Sequence, residues 1–218
     1  MDIKKFAAYF LFFVIGFITL QIPINQIMGT DVNFSFFDSF AILGGAFLGS
    51  VPGVIAVISM RAFDGILNGN LLETATLLRF LPIIFGVIAF KYKGRFTLLI
   101  PAVSAAFFIA HPIGREVWYF ALLWTVPYIT YFLRDKFLFA RSLGATFTQH
   151  SVGGAAFIWA FAIPAEVWIS LIPIVIVERF LLAGGITLFY LLFNKAFSFL
   201  NNSLPQVFEF NLEKKLTT

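Results

Sequence analysis

Cysteine is missing from the 218-residue chain, and charged residues make up only 12% of it. The first absence excludes disulfides and thiolate metal sites, and it leaves the redox compartment unreadable. The second excludes an ordinary soluble domain, because a domain of this length needs far more charge on its surface. Catalytic signatures are missing as well. The chain has no HExxH, no GxSxG with triad partners, no GxxxxGK[ST] and no paired-Glu motif of intramembrane prenyl-protein proteases. ATP hydrolysis by this chain is therefore not expected. No cofactor is implied, and two His far apart in sequence make a poor metal site. No internal repeat is evident.

What is present is apolar. Hydrophobic residues make up 60% of the chain and the mean hydropathy is +0.93. The expected fold class is an all-α, polytopic integral membrane protein. Residues 1–200 read as one transmembrane helical domain and 201–218 as a short cytoplasmic tail. The 31 Phe residues carry little functional information, since lipid outside and packed helices inside both accept them. The start, MDIKKFAAYFLFFVIGFITLQIPI, is basic, but its apolar run is longer than a signal-peptide core and no small-x-small cleavage site follows. It reads as the first span. A formal charge of +4 does not mark a nucleic-acid binder, because the charges fall between apolar segments instead of gathering on one face.

Apolar runs occupy roughly 6–24, 35–67, 75–90, 96–111, 117–133, 145–163 and 168–193. The second is too long for one straight span and holds turn chemistry, Gly49-Ser50-Val51-Pro52-Gly53, at its centre. It reads either as one helix or as two short helices hinged at this elbow, so the bundle has about 6–8 transmembrane helices. Lys and Arg in short loops stay in the cytoplasm. With a hinged hairpin the chain crosses eight times. Lys4, Lys5, Lys91, Lys93, Lys136, Lys195, Lys214 and Lys215 then share the cytoplasmic side with both termini. With seven crossings some basic loop must flip, so the hairpin is favoured. The opposite loops, near 25–33, 68–74, 112–116 and 164–167, contain no Lys. The expected location is the cell membrane, multi-pass.

Ionisable groups within spans cost roughly 2.5–3.5 kcal/mol each on insertion scales, so by default they pair or face a cavity. Arg61 and Asp64 stand three apart, one helical turn, where an ion pair can form. Arg79, beyond Glu73, reads either as a snorkelling side chain or as a functional one. HPIGREVWYF combines a turn, interfacial aromatics and His111, Arg115 and Glu116, a capped loop or the rim of a site. Glu178 and Arg179 lie deep in the last span. As neighbours about 100° apart they are not expected to pair with each other. Glu178 then needs a partner such as His150, Arg61 or a cationic ligand.

The stretch GATFTQHSVGGAAFIW places Gln149, His150 and the Gly153-Gly154 pair inside an apolar run. The glycines permit close helix approach. His150 is either hydrogen-bonded to a neighbouring helix carbonyl or a titrating group facing a cavity.

In VNFSFFDSFAILGGAFLGSVPGVIAVISMRAFDGILNG a helix rich in small residues, a Gly-x-x-Pro-Gly turn and a second short helix ending in Asp-Gly follow one another. With HSVGGAAFIW, this resembles the substrate-binding (S) components of energy-coupling factor transporters. The resemblance implies a compact helical membrane protein that captures a vitamin-like molecule or ion from outside. It would dock on a transmembrane coupling protein with ATPases. Two features depart from that family, which typically has six spans and small residues at i and i+4 of its first helix. Here Ala8 is followed by Phe12 and only then Gly16.

The leading expectation is a solute-binding component of an uptake transporter, its partners being the lipid bilayer, a small-molecule solute and such coupling subunits. Its candidate substrate-binding residues are Arg61, Asp64, Glu73, Arg79, His111, Arg115, Glu116, His150, Glu166 and Glu178. In the external half, Asp31, Asp38, Asp64, Glu73, Glu116 and Glu166 outnumber Arg61, Arg79 and Arg115. That favours a cationic or amphoteric solute. The alternatives are a non-catalytic accessory subunit of a larger membrane complex and an intramembrane enzyme using His111, Glu116 and Glu178.

Overall fold

The structure is a computed structural model, describing residues 3–26 and 33–203. It is helical, with one short two-stranded ribbon. Helix α1 (Ile3–Leu20) leads into antiparallel strands β1 (Pro23–Gln26) and β2 (Asn33–Ser35), where the sequence suggests only a loop. A broken first arm, α2 (Phe37–Phe40), a 3-10 turn (Ala41–Leu43) and α3 (Gly44–Phe47), then meets α4 (Ser50–Leu67). Next come α5 (Thr74–Leu78), α6 (Phe80–Lys91), α7 (Leu99–Ala110), α8 (Pro112–Glu116), a 3-10 segment (Trp118–Thr125) and α9 (Val126–Tyr131). The long helices α10 (Leu138–Phe161) and α11 (Ala165–Ser203) complete the chain. Three helices, Ser50–Leu67, Thr74–Lys91 and Ala165–Lys195, are long and apolar enough to cross a membrane.

The elbow is real, and backbone chemistry explains it. Gly49 has φ +94°, a conformation that an L side chain rarely adopts. Pro52 follows in the first turn of α4, where its missing N–H costs no helical hydrogen bond. The chain then folds back so tightly that a Cβ on Gly53 would overlap the Gly44 carbonyl. Helices in lipid associate through such close packing and polar contacts, because lipid tails are as apolar as the side chains they would replace.

The run expected as one span at 117–133 is broken. Pro127 lies in the first turn of α9, and the preceding turns from Trp118 to Thr125 wind as a 3-10 helix. The last helix runs on to Ser203, past the expected boundary between domain and tail.

Side-chain contacts sort the loops into two ends. At one, Gly45 faces Val87 and Lys91, Lys93 pairs with Asp135 at 3.2 Å, and the Tyr131 hydroxyl donates to the Lys93 carbonyl at 2.9 Å. Arg134 donates to the carbonyls of Ala89 and Phe90 at 3.0 and 3.2 Å, satisfying the C-terminal end of α6. The first arm of the hairpin, near the elbow, thus lies beside Lys91 at the end of α6. At the other end the Gln21 side chain donates to Asp64 at 3.1 Å.

Two aromatic clusters fill the interior. Phe12 packs on Phe40 with centroids 4.4 Å apart and the rings tilted by 34°, beside Phe47 and Phe193. Phe108, Phe120, Trp124 and Trp168 form the second, with Trp168 edge-on to Phe120 at 4.9 Å.

Candidate functional site

One carboxylate organises the polar interior. Asp38, on α2 and 3% exposed, accepts the Ser35 backbone N–H on Oδ2 at 2.9 Å and an Arg61 Nη2–H on Oδ1 at 3.2 Å. Arg79 Nη2 lies 3.6 Å from Oδ2. Arg61 also lies over the Phe37 ring, 5.3 Å from its centroid. Ion pairs buried this deeply are strongly geometry-dependent, and removing one member costs about 3–5 kcal/mol.

This arrangement replaces two sequence expectations. Arg61 pairs with Asp38 and not with Asp64, because its side chain reaches inward across the hairpin to the other arm. Asp64 turns instead to Gln21 and to the Asn68 side chain, at 3.1 and 3.2 Å. Arg79 does not snorkel: it is buried, drawn inward by the Asp38 charge.

Two spaces meet at this cluster. The first is a polar vestibule of about 410 Å³, walled by Gln21, Arg61, Asp64, Asn68, Glu73 and Arg79 among others. The second is an inner cavity of about 360 Å³ between α6, α10 and α11, closed at the hairpin by Asp38. Its wall is mostly apolar, with Pro82, Ile83, Phe157, Trp168, Leu171 and Val175, and its polar members are Asp38, Arg79, Gln149, His150, Glu178 and Arg179. Arg79 lines both spaces.

The Gly153-Gly154 pair of α10 has two roles. Gly154 accommodates the Trp124 ring, which a Cβ would meet at 2.7 Å, whereas Gly153 opens onto the cavity with Pro82 at 3.4 Å from its Cβ position.

His150 has no backbone carbonyl partner among the described residues. It accepts a hydrogen bond on Nδ1 from the Trp124 indole N–H at 3.0 Å. Indole nitrogen is a donor only, so Nδ1 is the acceptor and the imidazole carries its proton on Nε2. Glu178 and Arg179 do pair, Oε2 to Nη2 at 3.5 Å, against expectation. The 100° between their Cα–Cβ directions is within the reach of a long arginine side chain. The Thr146 hydroxyl approaches the Arg179 carbonyl at 3.5 Å, and Ser39 donates to the Leu182 carbonyl at 3.3 Å, tying α10 and α2 to this turn of α11.

Of the ten residues expected in a site, the structure brings six to these two spaces. Arg61, Asp64, Glu73 and Arg79 line the vestibule, and Arg79, His150 and Glu178 line the cavity. The other four lie elsewhere. Arg115, Glu116 and Glu166 are exposed, and His111 stands edge-on to Trp159 with ring centroids 5.0 Å apart. The enzyme set His111, Glu116 and Glu178 is therefore not gathered in the cavity. Asp31 lies outside the described residues.

Asp38, Gln149, Trp168 and Arg179 join the site without having been among its candidates. Asp38 had a signal, an acid flanked by Phe37 and Phe40 in an apolar run, and Gln149 stood out beside His150. Among the described residues, no group of three or more His, Cys, Asp or Glu is placed to hold a metal ion. Compared with known protein families, curated proteins and solved structures, the chain matches no family, no curated protein and no solved structure.

Proposed function

We propose that this is a multi-pass cell-membrane protein that binds a small, vitamin-like or amphoteric solute in its inner cavity, as the solute-binding component of an uptake transporter. The observation that carries the reading is the cavity itself: a mostly apolar space of about 360 Å³ with a few converging polar groups, next to a polar vestibule. Small-molecule sites have this size and character. The apolar wall supplies contact area, while the ion pairs at the Asp38 and Glu178 ends supply orientation.

The chain crosses the bilayer about eight times in this reading, with the elbow and both termini in the cytoplasm and the vestibule outside. The lysine distribution and the grouping of the loops support that sidedness. No nucleotide-binding motif occurs in the sequence, so energy for transport comes from partner subunits, a transmembrane coupling protein with ATPases.

The test is a thermal-shift survey of the purified protein with vitamins, their precursors and metal ions. A solute that binds the native state raises its stability in proportion to the logarithm of its concentration over Kd. Stabilisation by one chemical class supports the reading. No stabilisation by any of them, in a well-folded sample, contradicts it.

A second reading is a non-catalytic accessory subunit of a larger complex. An open apolar groove between α6, α7 and α10, lined by Leu81, Phe85, Val103, Phe107 and Ala156, favours it. Purification from native membranes separates the two. Copurifying ATPases support the transporter component, and a stoichiometric partner without ATPase activity supports the accessory subunit.

A further inference from the structure

The inner cavity has two kinds of polar wall. Its ionised groups compensate one another: Arg79 lies 3.6 Å from Asp38 and Arg179 lies 3.5 Å from Glu178, so two cations stand with two carboxylates. An ion entering such a balanced, mostly apolar space loses its water without gaining a countercharge. An uncharged solute meets no such cost.

The second kind of wall is neutral and unsatisfied. Gln149 is 4% exposed and lines the cavity, yet its Oε1 accepts no hydrogen bond among the described residues. Buried amide oxygens are nearly always paired, and one left alone carries a desolvation cost that a ligand N–H relieves. At the next position the Trp124 indole occupies His150 Nδ1, which leaves the imidazole proton on Nε2. Among the described residues nothing accepts that Nε2–H. Successive residues of α10 thus bring one open acceptor and one open donor to the same cavity. Gly153 stands four residues after Gln149, on the same face of the helix, and its missing side chain leaves space beside them.

From this we infer that the solute held in the inner cavity is an uncharged molecule with an amide-type head, such as a lactam, carboxamide or ureide, on an apolar body. The head's N–H donates to Gln149 Oε1, and its C=O accepts the His150 Nε2–H. An amide carries those two groups on adjacent atoms, matching the adjacent acceptor and donor of the wall. The body lies among Phe157, Trp168 and Leu171. Trp168 gives its indole N–H to the Ile163 carbonyl at 3.1 Å, so the ring offers the cavity apolar contact. The inference rests on the cavity being a solute site and adds the chemical class of the solute. Gln149 is then a specificity-determining residue that selects for the N–H of the head.

The experiment compares three probes built on one phenyl-bearing skeleton: the lactam phenylpyrrolidinone, its N-methyl derivative, which has no N–H, and its ring-opened amino acid, which is a zwitterion. Their binding to the full-length protein in lipid nanodiscs is followed by titration calorimetry and thermal shift. The lactam is expected to bind more tightly than either of the others by about tenfold or more, since a site built to pair a polar group rejects the analogue that lacks it. Gln149→Met keeps the length of the side chain and removes no hydrogen bond to Oε1, so the variant is expected to fold. It is expected to lose the preference for the lactam over its N-methyl derivative while binding the latter unchanged. The ranking on the unaltered protein stands as a test even where the variant does not fold. Equal or tighter binding of the N-methyl derivative or of the zwitterion overturns the amide assignment and leaves the cavity reading standing. A folded Gln149→Met protein that still prefers the lactam overturns the role of Gln149. Binding of none of the three to folded protein overturns the assignment alone where the vitamin survey stabilises the protein, and overturns the cavity reading with it where that survey also fails.

Discussion

Asp38 and Arg61 face each other across the two arms of the hairpin, Oδ1 to Nη2 at 3.2 Å, with both side chains almost wholly buried. The pair ties the turn chemistry of the elbow to the wall of the cavity. Replacing Asp38 with Asn leaves two guanidinium groups without their shared carboxylate, and a loss of about 3–5 kcal/mol is expected. Thermal unfolding in lipid nanodiscs measures it. The double variant Asp38→Asn with Arg61→Gln is expected to lose less than the sum of the two single changes, because the partners interact directly.

The hairpin predicts a sharp contrast between two glycines. Gly53→Ala forces its new methyl against the Gly44 backbone, where nothing flexible can yield, so a loss of about 1–3 kcal/mol or more is expected. Gly184 on α11 has open space around its Cβ position. Gly184→Ala is expected to gain up to about 1 kcal/mol from helix propensity. Unfolding midpoints of the two variants, measured side by side, check the contrast.

Trp124→Phe keeps an aromatic ring against Gly154 but removes the only donor to His150 Nδ1 among the described residues. Leaving that buried acceptor unpaired is expected to cost about 1–3 kcal/mol. A nitrogen-15 spectrum of the labelled imidazole reads the change directly. In the unaltered protein the protonated nitrogen is Nε2, and in the variant the tautomer preference weakens.

Much of the helical layout was legible in the sequence because it follows from local rules. The apolar runs marked the helices, and the turn residues Gly49-Ser50-Val51-Pro52-Gly53 marked the elbow, where the structure has Gly49 at φ +94°. The candidate site was legible only in part. Arg61 and Asp64 stand one turn apart, and nothing local shows that Arg61 turns inward to Asp38, 23 residues earlier in the chain. His150 gave no hint of Trp124, which approaches through the 3-10 segment before Pro127. Local spacing reports what shares a helix face. It does not report which faces meet, and the ion pairs of Asp38 with Arg61 and Arg79 join different elements.

Sidedness has its own test, which the natural lack of cysteine makes clean. Single-cysteine variants Ser50→Cys, at the elbow, and Lys93→Cys are expected to react with an impermeant maleimide only from the cytoplasmic face. Asn70→Cys, in the vestibule, is expected to react only from outside. Labelling of Ser50→Cys from outside the cell contradicts the paired short helices.

The central claim is that the space beside Gly153 holds a solute. Gly153→Leu places a side chain into that space from a helical position that tolerates one, since only Pro82 lies near and at ordinary contact distance. Native mass spectrometry of the protein taken directly from cell membranes, compared with this variant, tests the claim. The account predicts a non-lipid small molecule bound to the unaltered protein and missing from an equally folded Gly153→Leu protein. The same bound species on both, or none on either, contradicts it.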